Sequence, residues 1–315
     1  MDHSILFTVL GGYLGSGKTT VLNHVLQNSE SRRLAVIVND FGSINIDASL
    51  IATRGNDMMT LANGCICCSI SGGFAEALVA LAGHTPPPEH VIIETSGIAD
   101  PAKVAHYGHM APYKLDGVVV VADAEAIRRR AEDKYVGATV LRQLRGADLI
   151  VLNKIDLVDE TERANLRSWL QAQVPEARLF VTSQGRIPLA MLLGLHGNAP
   201  AAPPGIKHHH GEGHHHDEAD DYASWSASFD SPLDEALFRA AVTAWPPTVL
   251  RAKGIVHLRQ SPEQRHVFQL VGRRWSLTPD RVWGRDPHRT DIVMIGLAGQ
   301  LDGAALLASL QHVQY

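Results

Sequence analysis

The chain has 315 residues, 45% of them hydrophobic and 19% charged, so it can bury a sizeable core and is not disordered overall. Its formal net charge of -5 does not favour binding to nucleic acid or to an anionic membrane. Three cysteines, an odd number, exclude a disulfide scaffold and favour the reducing cytoplasm. We therefore expect a cytoplasmic protein with neither a nucleic-acid nor a membrane partner, and the length favours two domains.

The first part of the chain alternates short apolar runs with longer amphipathic stretches. Near-continuous apolar runs are typical of strands buried on both faces of a parallel sheet, and the alternation predicts a doubly wound α/β domain over residues 1–195. The predicted strands are Ile5–Leu10, Leu34–Val38, Val91–Glu94, Gly117–Ala122, Leu149–Leu152 and Leu179–Val181. The predicted helices include Lys18–Gln27, Ser69–Ala82, Val136–Arg145 and Glu160–Gln173.

A phosphate-binding loop follows the first predicted strand and opens the first predicted helix. Residues 12–19 read Gly-Tyr-Leu-Gly-Ser-Gly-Lys-Thr, a pattern whose glycines let backbone N–H groups cradle phosphate oxygens at a helix N-terminus. We expect Lys18 to reach the β- and γ-phosphates and the Thr19 hydroxyl to bind Mg²⁺. The nucleotide-binding residues predicted here are Gly12, Gly15, Ser16, Gly17, Lys18, Thr19 and Thr20.

Two acidic motifs end predicted strands. Asp40 lies in Asn-Asp-Phe-Gly, and Glu94 begins Glu-Thr-Ser-Gly. Because ligands bind outside the carboxyl ends of a parallel sheet, we expect a carboxylate on the Mg²⁺ side at Glu94 and a glycine that senses the γ-phosphate at Gly97. Asp40 offers a second acid to the same edge, and we assign both acids, with Lys18 and Thr19, to the catalytic site.

Residues 153–156, Asn-Lys-Ile-Asp, predict specificity for guanine. A buried carboxylate at Asp156 can accept from two adjacent guanine N–H groups, while the Asn153 side chain is expected to read the other edge of the purine. Adenine lacks that donor pair, so the carboxylate would stay unpaired against ATP. Lys154 belongs to the same nucleotide-binding motif, and Ser183, after the next predicted strand, completes the predicted base pocket.

All three cysteines, Cys65, Cys67 and Cys68, fall within four residues of one glycine-preceded segment. Three thiols so close together can supply several ligands to one Zn²⁺ ion, although burial as small hydrophobes and redox chemistry are alternatives. The sequence has no second cysteine pair, so a fourth ligand must be Asp, Glu, His, water or another protein. Open coordination of this kind suits metal transfer better than storage.

Residues 196–221 form a predicted flexible linker that is rich in proline, histidine and acidic residues. Its imidazoles can capture borderline divalent ions loosely, and a merely solvated linker is the alternative. The histidines concerned are His208, His209, His210, His214, His215 and His216.

Residues 222–315 predict a small α+β domain, an antiparallel sheet with helices on one face. Alternation with period two predicts a strand from Tyr222, and Ser231-Pro232 predicts the start of a helix. The apolar face of that helix is predicted to be Leu233, Leu237, Ala241 and Val242. Further strands are predicted at Thr248–Leu258, Arg265–Val271 and Asp291–Leu297, and a last helix near Gly303–Leu310.

Taken in order, these motifs resemble those of the CobW-type P-loop GTPases, relatives of the urease and hydrogenase nickel-insertion GTPases. The resemblance continues past the linker in residues 251–258 and 269–275. It implies a GTPase that uses GTP, GDP and Mg²⁺ and delivers Zn²⁺, or in some members another transition metal, to a metalloprotein client. The metal ligands that it implies are Cys65, Cys67 and Cys68. Family members usually carry Asn-Glu-Phe-Gly, and the shorter Asp40 of this chain leaves open whether it contacts metal or Mg²⁺.

The mechanism that we expect couples nucleotide state to metal affinity. GTP would order the segments of Asp40 and Glu94 and so reshape the thiol loop, and turnover would be slow because the sequence offers no evident arginine to the phosphates. Three other functions stay open: cobalt handling in corrin synthesis, a passive buffer of metal by histidine and cysteine, and a P-loop kinase, against which Asp156 argues. The residues specify neither the client, the physiological metal nor homo-oligomerisation.

Overall fold

A computed structural model describes residues 4–28, 33–39, 58–61, 73–193, 222–297, 299 and 302–311. The chain divides into two compact units, Met1–Leu193 and Gly194–Tyr315. The predicted linker lies outside the described residues. Within them, no helix is long and apolar enough to cross a membrane.

The first unit is built on a parallel sheet. Seven described strands lie in the order β3-β2-β4-β1-β5-β6-β7, and every pair of neighbours is parallel. They are β1 (Ile5–Gly11), β2 (Leu34–Asn39), β3 (Met58–Leu61), β4 (His90–Glu94), β5 (Tyr113–Asp123), β6 (Leu149–Asn153) and β7 (Arg178–Val181). All residues of β1, β4 and β6 are buried, which explains their continuous apolar sequences. The doubly wound parallel architecture predicted from those sequences is confirmed.

Helices connect these strands. They are α1 (Lys18–Asn28), α2 (Gly73–Ala82), α3 (Pro101–Ala105), α4 (Ile127–Glu132), α5 (Gly137–Arg145), α6 (Glu160–Gln173) and α7 (Leu189–Leu193), with single 3₁₀ turns at His106–His109 and Ile155–Leu157. Phe7 and Val9 of β1 share one buried cluster with Val104 of α3 and Leu144 of α5, so these helices cover one face of the sheet. Elements β3, α3, α4 and α7 were not predicted from the sequence, because four to six residues are too few to display a period.

The second unit is an antiparallel sheet of five described strands in the order β11-β10-β9-β12-β8. These are β8 (Tyr222–Phe229), β9 (Val249–His257), β10 (Gln264–Val271), β11 (Arg274–Val282) and β12 (Thr290–Leu297), with helices α8 (Glu235–Thr243) and α9 (Gly303–Gln311). Phe238 of α8 and Leu310 of α9 are buried in one cluster with Trp225, Phe268 and Met294 of the sheet. The predicted α+β class of this unit is confirmed.

Two details of the second unit differ from the prediction. Helix α8 does not start at Ser231-Pro232: Asp234 is its N-cap and accepts a hydrogen bond from the Leu237 backbone N–H at 3.0 Å. Leu237, predicted to lie on the apolar face, is 44% exposed, whereas Phe238 and Val242 are buried. Strand β11 escaped prediction because it is a polar edge strand that contains a proline, which only edge strands tolerate.

Candidate nucleotide-binding site

Four strands of the parallel sheet end at one edge and bring the sequence motifs together. The register pairs Leu10 of β1 with Glu94 of β4, and Asp123 of β5 with Asn153 of β6. The carboxyl ends of β1, β4, β5 and β6 are therefore neighbours. The loop at residues 12–19 starts at this edge, where the order of strands reverses, as is usual for ligand sites in such sheets.

The phosphate-binding loop requires glycine at positions 12 and 17. Gly12 and Gly17 have φ angles of 135° and 100°, a region that other residues rarely adopt. A Cβ on Gly12 would lie 2.2 Å from the Val121 carbonyl oxygen, and a Cβ on Gly17 would lie 2.3 Å from Asn153 Nδ2. Because the glycines allow this close packing, the loop turns directly into the N-terminus of α1, where backbone N–H groups bind anions.

A hydroxyl and a carboxylate lie side by side where α1 begins. Thr19 Oγ1 donates to Glu94 Oε1 at 3.3 Å, and Glu94 is only 2% exposed. Oxygen donors of this kind are those that Mg²⁺ prefers, so the pair fits the predicted magnesium position. Lys18, the first residue of α1, is also buried, whereas Thr20 is exposed. The buried Ser16 hydroxyl has no hydrogen-bond partner among the described residues, as expected of a group in a ligand cradle.

The segment after Glu94 packs directly on the phosphate-binding loop. Gly97 is buried, and a Cβ on it would lie 2.7 Å from the Leu14 backbone nitrogen. Its carbonyl oxygen accepts from Gln143 Nε2 at 3.0 Å, and the same amide donates to the Ala99 carbonyl oxygen at 2.7 Å. Gln143, on α5, was not found from the sequence, because a single glutamine in an amphipathic helix carries no signal.

The Asn153 side chain joins two loops of the site. Its Nδ2 donates to the Ser16 carbonyl oxygen at 3.0 Å, and its Oδ1 accepts from the Gly185 N–H at 2.9 Å. Both polar atoms of this buried amide thus bind backbone groups of two loops. The amide therefore holds these two loops together, and its contact with the purine edge stays a prediction.

The rest of the predicted base pocket lies around the end of β6. Lys154 has a φ of 62° and its Nζ is 2.9 Å from Asp123 Oδ2. Asp156 is exposed in the following 3₁₀ turn, whereas guanine recognition was predicted to involve a buried carboxylate at this position. Ser183 is partly buried, and its carbonyl oxygen accepts from Thr182 Oγ1 at 3.3 Å.

Two charged residues of the site, Asp123 and Arg130, were not predicted from the sequence. Asp123 is 3% exposed at the end of β5, and its Oδ2 lies 4.0 Å from Arg130 Nη1. Arg130 donates to the Leu14 carbonyl oxygen at 2.8 Å. Arg130 therefore lies beside the phosphate-binding loop and binds its backbone, whereas slow turnover for want of an arginine at the phosphates stays a prediction. An acid at the end of a central strand could have signalled Asp123, whereas the contact of Arg130 depends on tertiary structure.

The residues predicted to bind a transition metal, and Asp40, lie outside the described residues. This applies to Asp40, to the three cysteines and to the histidine tract: Cys65, Cys67, Cys68, His208, His209, His210, His214, His215 and His216. Within the described part of the chain, no group of three or more His, Cys, Asp or Glu residues is arranged to hold a metal ion.

Comparison with known proteins connects both units to one family. A family model described as "CobW/HypB/UreG, nucleotide-binding domain" matches residues 6–181, and one described as "Cobalamin synthesis protein cobW C-terminal domain" matches residues 222–314. The zinc chaperone CobW of Sinorhizobium sp is 32% identical, over 96% of this chain and 95% of its own. The zinc chaperone YjiA of Escherichia coli is 31% identical, over 94% and 95%. The zinc-regulated GTPase metalloprotein activator 1 of Dictyostelium discoideum is 28% identical, over 89% and 69%. Since the first family model alone covers more than half of the chain, the protein belongs to the CobW/HypB/UreG family and carries the cobW C-terminal domain.

Proposed function

We propose that this protein is a GTP-hydrolysing metallochaperone, which binds Zn²⁺ through Cys65, Cys67 and Cys68 and delivers it to a metalloprotein client. The observation that carries the nucleotide half is the Thr19–Glu94 pair at the start of α1, beside a loop whose glycines leave its backbone free to cradle phosphate. The zinc half is supported by the cysteine segment and by the names of relatives that match nearly the whole chain.

The described residues suit phosphoryl transfer to water. Backbone N–H groups of residues 12–19 would hold the phosphates, and Lys18 would offset their negative charge. Thr19 and Glu94 would hold Mg²⁺, which neutralises charge that develops on the phosphate oxygens. The products are GDP and inorganic phosphate, and the residues contribute mainly position and electrostatic stabilisation.

The choice of guanine over adenine rests on Asp156. This carboxylate is exposed beside the carboxyl edge of β6, so it is open to the two adjacent N–H groups of guanine. Competition of GTP and ATP for the protein tests this step. Equal affinity for the two nucleotides would contradict guanine recognition by Asp156, and a preference for ATP would favour the P-loop kinase.

Coupling between nucleotide and metal has a basis in the order of the strands. The chain leaves β2 and β3 at the same edge of the sheet from which the phosphate-binding loop starts, since both strands are parallel to β1. The segment with the cysteines follows β3 directly and precedes α2. Nucleotide-dependent changes at Glu94 and Gly97 would therefore arise at the edge where that segment begins.

The experiment is a titration of Zn²⁺ against the protein loaded with a non-hydrolysable GTP analogue or with GDP. We expect the two affinities to differ about 5- to 150-fold, the usual range for coupled sites. A Cys67→Ala variant is the control for the site. Identical affinities in the two states would refute the coupling and support a passive buffer. Repeating the titration with Co²⁺ compares zinc with the cobalt function.

A further inference from the structure

A cation on helix α4 lies behind the phosphate-binding loop. Arg130 Nη1 donates to the Leu14 carbonyl oxygen at 2.8 Å, and its guanidinium carbon is 5.3 Å from the ring centroid of Tyr13. Its Nη2 lies 3.8 Å from the position that a Cβ would take on Gly15. Arg130 thus contacts Tyr13 and Leu14 of the loop and lies close to Gly15.

The bond to Leu14 fixes the direction of the next backbone N–H. The Leu14 carbonyl and the Gly15 N–H belong to one peptide unit, which is planar and trans, so they point in opposite directions. A guanidinium that holds the carbonyl on the outside of the loop directs the N–H towards the inside, where phosphate oxygens bind. Hydrogen bonding to the carbonyl also polarises the peptide unit and strengthens its N–H as a donor.

A second peptide unit of the loop is held in the same manner. Asn153 Nδ2 donates to the Ser16 carbonyl oxygen, which shares its peptide unit with the Gly17 N–H. Asn153 belongs to the guanine motif. A residue of that motif thus fixes the direction of the Gly17 N–H by binding the other end of its peptide unit.

Asp123 links the guanine motif to Arg130. Its Oδ2 is 2.9 Å from Lys154 Nζ and 4.0 Å from Arg130 Nη1. Because this carboxylate is almost fully buried, its attraction to both cations is weakly screened by solvent. Asn153 and Lys154 therefore both reach the phosphate-binding loop, one directly and the other through Asp123 and Arg130.

We propose that Arg130 is a positioning residue, which holds the Leu14–Gly15 peptide so that the Gly15 N–H faces bound phosphate, and that Asp123 couples it to Lys154 of the guanine motif. The proposal rests on the proposed nucleotide binding. It makes part of the affinity for phosphate depend on a side chain that does not touch the nucleotide.

The first test compares dissociation constants for GDP and GMP. Arg130→Ala should weaken GDP binding about tenfold, since it removes a hydrogen bond from a charged donor. GMP, which lacks the β-phosphate, should be affected less, and Arg130→Lys should restore part of the GDP affinity. Arg129→Ala, which removes an exposed arginine from the same helix, is the matched control. Equal weakening of GDP and GMP would indicate general damage and overturn the proposal.

The second test observes the Gly15 N–H directly. The sequence contains three Leu–Gly peptides, at Leu10, Leu14 and Leu193, so carbonyl-¹³C leucine combined with ¹⁵N-glycine leaves three amide signals. The Gly15 signal is the one lost in Leu14→Met. We expect GDP to move this proton downfield in the wild-type protein and in Arg129→Ala, and to move it less in Arg130→Ala. An equal shift in Arg130→Ala would overturn the proposal.

The link through Asp123 is tested by a double-mutant cycle. If Lys154 and Arg130 act together, the loss of GDP affinity in Lys154→Ala/Arg130→Ala should be smaller than the product of the two single losses. A loss equal to that product would refute the link. A wild-type protein that binds no GDP would refute the proposed function itself, whereas a wild-type protein that binds GDP as Arg130→Ala does would refute the positioning role alone.

Discussion

Removing the Asn153 side chain should weaken guanine nucleotide binding without changing the choice of base. The amide is 2% exposed, and its two hydrogen bonds join the Ser16 carbonyl and the Gly185 N–H across the site. Asn153→Ala breaks both bonds and leaves a carbonyl and an N–H without their partner. A direct contact to O6 of the purine, by contrast, would make the same variant lose discrimination between guanine and adenine.

The size of the effect follows from the two bonds. Leaving a buried backbone group unpaired costs about 1–3 kcal/mol, so the two together cost about 2–6 kcal/mol, divided between folding stability and nucleotide affinity. If half of this cost falls on binding, GDP affinity drops roughly 5- to 140-fold, at about 1.4 kcal/mol for each factor of ten. The thermal midpoint of the first unit should fall as well.

The assay is displacement of a fluorescent guanine nucleotide by GDP, by ADP and by inosine diphosphate, which keeps O6 but lacks the exocyclic amine of guanine. Asn153→Ala should raise the dissociation constants of GDP and ADP by the same factor and leave their ratio unchanged. Asp156→Asn is the matched comparison, because it removes the carboxylate proposed to accept from the exocyclic amine and should bring the ratio of GDP to inosine diphosphate close to one. A changed ratio of GDP to ADP in Asn153→Ala would refute the loop-joining role.

Three further predictions concern other parts of the molecule. Thr19→Ala should abolish the dependence of GTP affinity on Mg²⁺ while retaining metal-free binding, measured by titration with and without chelator; retained Mg²⁺ dependence would contradict the assignment beside Glu94. Phe238→Ala should destabilise the second unit by about 3–5 kcal/mol and Leu237→Ala by less than about 1 kcal/mol in denaturant unfolding; equal effects would place the wrong face of α8 inward. Burial lowers the pKa of His257 from its ordinary 6.5, so the unfolded chain binds this proton more readily and stability should fall as pH drops from about 7 to 5. His257→Phe should make the stability less dependent on pH. Unfolding at each pH can be followed by tryptophan fluorescence, since four of the five tryptophans lie in the second unit.

Much of the first unit could be predicted because its signals are local. Strands buried on both faces read as unbroken apolar runs, and the loop at residues 12–19 has a spacing that few other structures require. The loop contacts of Asn153 could not be predicted, since they depend on where the loop around Gly185 lies in three dimensions. For the same reason Arg130 looked like one of several arginines on a short helix.

The start of α8 was missed for a different reason. Two N-cap candidates, Ser231 and Asp234, lie three residues apart, and local preference accepts either. The choice is made by Leu233, which is fully buried and forms a bridge with Leu258. Because the backbone at Leu233 is extended, the helix can begin only after it. Phe238, rather than Leu237, is then the residue of its first turns that is buried.

The site draws on residues from Gly12 in the first loop to Gly185 beyond the last strand of the sheet, which has a consequence for biosynthesis. The loop-joining bond between Asn153 and the Gly185 N–H forms only when nearly the whole first unit has left the ribosome. A nucleotide that then binds adds about 4 kcal/mol to stability at a concentration of roughly 1,000 times its Kd. In the cell, a bound guanine nucleotide would thus first stabilise the folded first unit. This effect on folding would precede any hydrolysis.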